Sequence, residues 1–197
     1  MNEVGPRSNG PLIEARGLNK NFGPIPALAG VDLELAGGQV IGLLGENGCG
    51  KTTLLKVLAG VMQDHAGHVR IAGRRLGPET KACVSFLPDA NYLKDSATVS
   101  QCIGMFSDFF SDFRADKASD MIKSRDAKVF LLDEPISGVD PAARDVILKG
   151  IVRNLEADAL VLISTHLIHD LEAVLDAVVM MRHGKVLLTG QVDDLRA

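Results

Sequence analysis

The amino-acid sequence predicts an α/β fold: a mainly parallel sheet flanked by helices, with an antiparallel β part on the N-terminal side. Three observations carry that expectation. Short apolar runs alternate along the chain with stretches of helical spacing. The run Val40–Leu44 is continuously apolar, as in strands buried on both faces. Gly and Pro punctuate the joins between the two kinds of segment.

Taken in order, Leu12–Asn19 and Val31–Leu35 read as strands separated by the turn Gly23–Pro26. Gly37-Gly38 turns the chain into Val40–Leu44. Thr53–Ala59 sets Leu54, Leu55, Val57 and Leu58 at helical spacing, and Gly60 is the stop. Val69–Ala72 and Ala82–Leu87 read as strands. Thr98 followed by Gln101 is a capping box for a helix through Phe106. A further helix is expected from Phe109 to Lys123, with Phe109, Phe110 and Phe113 as core packing. Val129–Leu132 is a buried strand, and Asp140-Pro141 starts a helix running to about Asn154. Leu160–Ser164 and Ala177–Arg182 are strands flanking a helix His169–Leu175. Gly184 turns into a last strand, Lys185–Leu188, before a short C-terminal helix.

With 197 residues, the chain suits one well-buried domain, expected over residues 12–197. The segment Met1–Pro11 has no apolar signal core and reads as a flexible arm of a cytoplasmic protein. A net charge of −4 argues against a general nucleic-acid binder. No apolar run approaches the roughly 18–20 residues of a membrane-spanning helix. Cys49, Cys83 and Cys102 have no paired or metal-like spacing, so no disulfide framework is expected.

The strongest chemical signal is Gly45-Glu46-Asn47-Gly48-Cys49-Gly50-Lys51-Thr52, which matches G-x-x-x-x-G-K-[ST] between a buried strand and a helix. The glycines let the backbone curl so that successive N–H groups point at phosphate oxygens. The helix N-terminus adds its dipole at the same point. Lys51 can bridge the β- and γ-phosphates of a nucleoside triphosphate, and Thr52 can ligate magnesium. Thr53 continues the same cradle. The cofactors expected are therefore ATP and Mg2+. Cys49 inside the loop reads as a small tolerated side chain rather than as a thiol whose oxidation would block the nucleotide.

A second candidate site closes the apolar strand Val129–Leu132, where Asp133 and Glu134 follow one another. Asp133 at the strand tip can hold magnesium through a water, and Glu134, pointing elsewhere, can polarise an attacking water.

Beyond these two signals, Leu131-Leu132-Asp133-Glu134-Pro135, then Ser137-Gly138-Val139-Asp140, then Ser164-Thr165-His166 follow one another in a fixed order. In this the chain resembles the nucleotide-binding subunits of ABC transporters, from about Leu12 to the C-terminus. The resemblance implies a P-loop NTPase fold in which Asp133-Glu134 is Walker B plus the catalytic carboxylate. It makes Ser137–Asp140 the D-loop and His166 the switch histidine at the γ-phosphate. Phe22 stands where the family places an aromatic to stack on adenine. Read without the family, Asp140 is a helix cap, Phe22 a core residue and His166 a structural histidine. The resemblance further implies an ATPase at the inner face of the cell membrane, driving a separate membrane permease. It also implies pairing with a second ATP-binding subunit, as homodimer or heterodimer, and no nucleic-acid partner.

Two departures from the family stand out. Where it has a magnesium-ligating Gln, this chain has Asp89, either a metal-facing carboxylate or half of a Pro88-Asp89 turn. The helical subdomain is reduced: between Asp95 and Lys128 there is no L-S-G-G-Q-like motif. By comparison with the family, on the order of thirty residues are absent, two or three average helices, with the seam near Lys123–Arg125. ATP binding without efficient hydrolysis is the alternative this leaves open.

Overall fold

The computed structural model describes residues 10–89, 98–109, 114–116, 127–153, 156–166 and 171–196. Most of the expected N-terminal arm lies outside them, as do the Lys123–Arg125 seam, most of the helix expected over 109–123 and the start of the one expected at His169. Two sheets form. One is four-stranded, built from β1 (Ile13–Phe22), β2 (Ile25–Leu35), β4 (Ala66–Ile71) and β5 (Arg74–Arg75), in the order β2-β1-β4-β5 and antiparallel throughout. The other has six strands: β3 (Gln39–Leu44), β6 (Val84–Leu87), β7 (Val129–Asp133), β8 (Leu160–Thr165), β9 (Ala177–Arg182) and β10 (Lys185–Gln191). Its order is β10-β9-β3-β8-β7-β6, parallel except for the β9–β10 edge hairpin. The helices are α1 (Lys51–Leu58), α2 (Pro78–Cys83), α3 (Val99–Phe109), α4 (Pro141–Arg153) and α5 (Val192–Arg196).

The apolar run in β3 is explained by its place. Ile41 and Leu43 point into one core cluster, with Leu54, Leu55 and Leu58 of α1 and Leu18, Leu28 and Val31 of the antiparallel sheet. Val40 and Leu44 point the other way, into a second cluster with Leu148 of α4, Leu171 and Leu175. A strand covered on both faces has no position to spare for a polar side chain. Each fully buried Leu or Ile there stabilises the fold by about 1.5–3 kcal/mol.

Local chemistry agrees at several joins. The Thr98 N–H donates to Gln101 Oε1 at 2.8 Å and the Gln101 N–H to Thr98 Oγ1 at 3.3 Å, so the expected capping box is present. Gly37 lies so close to the neighbouring chain that a Cβ there would sit 2.4 Å from the Asp158 carbonyl. Asp176 Oδ2 accepts the Val40 N–H at 2.7 Å, while the Asp176 N–H donates to the Val40 carbonyl at 2.9 Å, tying the start of β9 to β3.

The structure differs from expectation around residues 74–83. Ala82 and Cys83 lie in α2 rather than in a strand, which begins only at Val84. Pro78 at the first helical turn and the Gly77 N–H bonded to Thr80 Oγ1 at 2.9 Å start that helix. The two-residue β5 is too short for any periodicity to announce it. No helix among the described residues is long and apolar enough to cross a membrane.

Candidate functional site

Parallel strands β3, β8 and β7 lie side by side, with Leu44 opposite Thr165 and Asp133 opposite Ser164. Their C-terminal ends therefore bring the loop after Leu44, the Ser164-Thr165-His166 segment and the Asp133-Glu134 pair to one edge of the sheet. This is where open α/β sheets place ligands.

The loop at Gly45–Thr52 is held from behind. Gly184 donates its N–H to the Cys49 carbonyl at 2.9 Å and accepts the Ala29 N–H at 2.9 Å, which links loop, β2 and the β9–β10 turn. A Cβ at Gly45 would sit 2.4 Å from the Met181 carbonyl, and one at Gly50 2.4 Å from that of Ala27. Gly50, with φ 111°, ends the loop in a conformation that side chains resist. It caps α1 with no side-chain hydrogen bond. The first N–H groups of α1 are therefore left for a ligand, at the positive end of the helix dipole. Gly48, by contrast, faces open space. Lys51 is buried, and its Nζ donates to the Gly45 and Glu46 carbonyls at 2.7 and 3.1 Å.

Asp133 is fully buried. Its Oδ1 accepts hydrogen bonds from Thr52 Oγ1 at 3.1 Å and from Ser164 Oγ at 2.5 Å. Its Oδ2 is buried with no partner among the described residues. An orphaned carboxylate oxygen beside a hydroxyl from the phosphate-type loop fits a hard cation that takes oxygen ligands. No cluster of three or more His, Cys, Asp or Glu occurs among the described residues, so the protein offers only part of a coordination shell. That is the usual case for magnesium, which takes the remaining ligands from water and phosphate.

Glu134 has φ +47°, a left-handed conformation rare outside glycine. Holding a residue there costs about 1–3 kcal/mol unless its surroundings impose it. Ser164 does so: the Glu134 N–H donates to both the Ser164 carbonyl and Oγ, at 3.1 and 3.0 Å. His166 Nδ1 lies 3.1 Å from each carboxylate oxygen of Glu134. Ser164 thus orders both acids at once, a role not assigned from its place before Thr165-His166.

Other candidates sit further out. Phe22, at the end of β1, is 49% exposed, and Lys20 Nζ lies 5.1 Å from its ring centroid. Asp140 precedes α4 and its carbonyl accepts the Ala143 N–H at 2.9 Å. Asp89 follows β6, the strand beside β7, on the same edge. It is exposed and makes no hydrogen bond or ion pair among the described residues. Clefts of about 860 and 980 Å³ lie elsewhere, and their linings include no residue of the loop.

The sequence pattern of one family, described as ABC transporter, matches residues 28–125. An uncharacterized ABC transporter ATP-binding protein of Methanocaldococcus jannaschii is 26% identical, with 94% of this chain and 79% of that protein aligned. The ribose import ATP-binding protein RbsA of Cereibacter sphaeroides is 28% identical over 89% of this chain, which spans 43% of its length. The first of these alignments runs over 218 residues against the 197 of this chain, so at least 21 aligned positions have no residue here. Among solved structures, one described as an ATP binding subunit of an ABC transporter superposes with a TM-score of 0.71 at 23% identity, covering 94% of this chain and 92% of that one.

Proposed function

Because this chain belongs to the ABC transporter family of ATP-binding proteins, we propose that it is an ATP-binding subunit that docks on a separate membrane permease. We place it peripherally, on the inner face of the cell membrane. The single observation that carries the nucleotide site is Asp133. It is buried, bonded through Oδ1 to Thr52 of the loop and, among the described residues, unpartnered at Oδ2.

In this reading the loop N–H groups and the start of α1 receive the phosphates, and Lys51 exchanges its two carbonyl partners for phosphate oxygens. Magnesium, when bound, would supply neutralisation of phosphate charge. Thr52 Oγ1 and Asp133 would hold it, with Asp89 facing it from the end of β6. Glu134 accepts the proton of the attacking water, and His166, donating from Nδ1, keeps that carboxylate aimed. Phe22 offers one face of its ring to the adenine, and Asp140 belongs to the surface a second ATP-binding subunit would cover.

The absent signature segment limits the engine. The alignment longer than the chain supports a missing internal stretch, and the family match stops at residue 125, beside the Lys123–Arg125 seam. Phosphoryl transfer rests on positioning and electrostatics, so half a clamp binds better than it turns over. Titrating the full chain with ATP and magnesium should show saturable binding. Phosphate release should run far below the roughly 10 s⁻¹ median of enzymes. Glu134→Gln should leave binding unchanged. Loss of all binding in wild type would overturn the nucleotide site. Turnover near that median, abolished by Glu134→Gln, would overturn the weak-engine reading.

A further inference from the structure

The antiparallel sheet has an outer face that the nucleotide reading leaves unused. Register places Glu34, Glu14, Arg70 and Arg75 in one row across its four strands, and Arg16 opposite His68 in the next. The two acids are taken up by Arg16, which hydrogen-bonds Glu34 and lies 3.7 Å from Glu14. Arg70 and Arg75 are left side by side with no hydrogen bond or ion pair among the described residues. Like charges directly opposite on a sheet repel. Nearby, Arg74 is bound to Glu79 at 3.0 Å and Lys20 to Asp64 at 2.8 Å, which leaves Glu14, opposite Arg70 and shared with Arg16, as the acid in their row next to the two arginines.

Arg70, Arg75, Arg16 and His68 line a cleft of about 860 Å³ together with Lys81 of α2, and Glu14 is the one acid among its described lining residues. That volume is in the range of small-molecule sites rather than of an extended polymer groove. The cleft reaches Gly60, beyond the C-terminal end of α1, whereas the phosphate loop is at the N-terminal end. Eight helical residues, about 12 Å, separate the two ends. The carbonyl end of α1 is unfavourable to an anion, but Lys81 Cε comes within 3.6 Å of where a Gly60 Cβ would be, so its ammonium stem covers that end.

We propose that this cleft is a second anion site, for a small molecule carrying two or more phosphate groups, bound by Arg70 and Arg75 with Lys81. Guanidinium pairs suit phosphate oxygens through bidentate hydrogen bonds, and an anion between them removes their mutual repulsion. The site is independent of the nucleotide site and can fail without it.

Tripolyphosphate, titrated by calorimetry into full-length Lys51→Ala protein, tests it with the phosphate loop weakened. One saturable site is expected, weakening as salt rises. Arg70→Ser with Arg75→Ser should raise its Kd at least tenfold, Lys81→Ser should raise it less, and Arg74→Ser should leave it unchanged. In the wild-type background the double variant should bind ATP as before, which also shows that it folds. No site in the Lys51→Ala protein, or binding unchanged in the double variant, overturns the proposal. So does binding to phosphatidylglycerol vesicles that tripolyphosphate does not compete away, since that would make the face a membrane contact.

Discussion

At the scale of single residues, Ser164 concentrates the most consequence in the fewest atoms. One hydroxyl donates to Asp133 Oδ1 and accepts the Glu134 N–H, with both Ser164 and Asp133 fully buried. Replacing it with Ala leaves a buried carboxylate with a single hydroxyl donor and removes one tie on a left-handed Glu134. Ser164→Ala is expected to lower stability by about 1–3 kcal/mol, since a buried polar group loses its partner. It should also weaken magnesium-dependent ATP binding more than magnesium-free binding. Thermal melts, with ATP titrations in magnesium and in EDTA, check both. Equal weakening with and without the metal would show that Ser164 serves the fold rather than the acids. The types of the chemistry-bearing residues were legible in the sequence here, because Lys51, Thr52, Asp133 and Glu134 stand at motif spacing. The hydroxyl that joins them was not, because a Ser next to a Thr at a strand end has ordinary local reasons to be there.

At the scale of elements, the phosphate loop is shaped as much by what stands behind it as by its own glycines. The Ala27 carbonyl of β2 and the Met181 carbonyl of β9 press on Gly50 and Gly45, and Gly184 holds the Cys49 carbonyl. Gly50→Ala therefore meets two penalties. A positive φ costs about 1–3 kcal/mol, and a methyl group 2.4 Å from the Ala27 carbonyl cannot fit without moving β2. The expected outcome is a drop in melting temperature together with loss of ATP binding. Gly48→Ala shares the positive φ but has open space around the new methyl, so it should be the milder change. Circular dichroism melts of the two variants, side by side, separate strain from overlap. The spacing of Gly45, Gly48 and Gly50 is readable from sequence. That two of the three are backed by carbonyls from β2 and β9 is not, since those strands are about 20 and 130 positions away; sheet order brings in β9, and the packing of the second sheet against the β9–β10 turn brings in β2.

At the scale of the whole molecule, the proposed nucleotide face lies apart from the clefts of about 860 and 980 Å³, whose linings include no residue of the loop. In the proposed reading a partner subunit would complete that face, through a segment this chain lacks. The Glu134→Gln variant, saturated with ATP and magnesium, is therefore expected to remain a monomer by sedimentation. Inserting a relative's signature-bearing segment at the Lys123–Arg125 seam should convert it to a dimer under the same conditions and, in the Glu134 protein, raise turnover. Dimers without the insertion would show that the clamp does not need the segment.

What the sequence determined by itself was the set of strongly local signals: the buried run of β3, the Thr98–Gln101 box, the Asp140-Pro141 helix start, the phosphate loop and the acid pair. Each depends on neighbours within a few positions, where propensity and spacing carry the physics. Tertiary structure alone decided the division into two sheets, the helical rather than extended path of Ala82-Cys83, the short β5 and the row that sets Arg70 against Arg75. It also decided that Asp133 would be buried with one oxygen unpartnered among the described residues. Those outcomes depend on which strands lie side by side and on which atoms burial leaves without water. Strand order and desolvation are properties of the packed chain, and no window of neighbouring residues contains them.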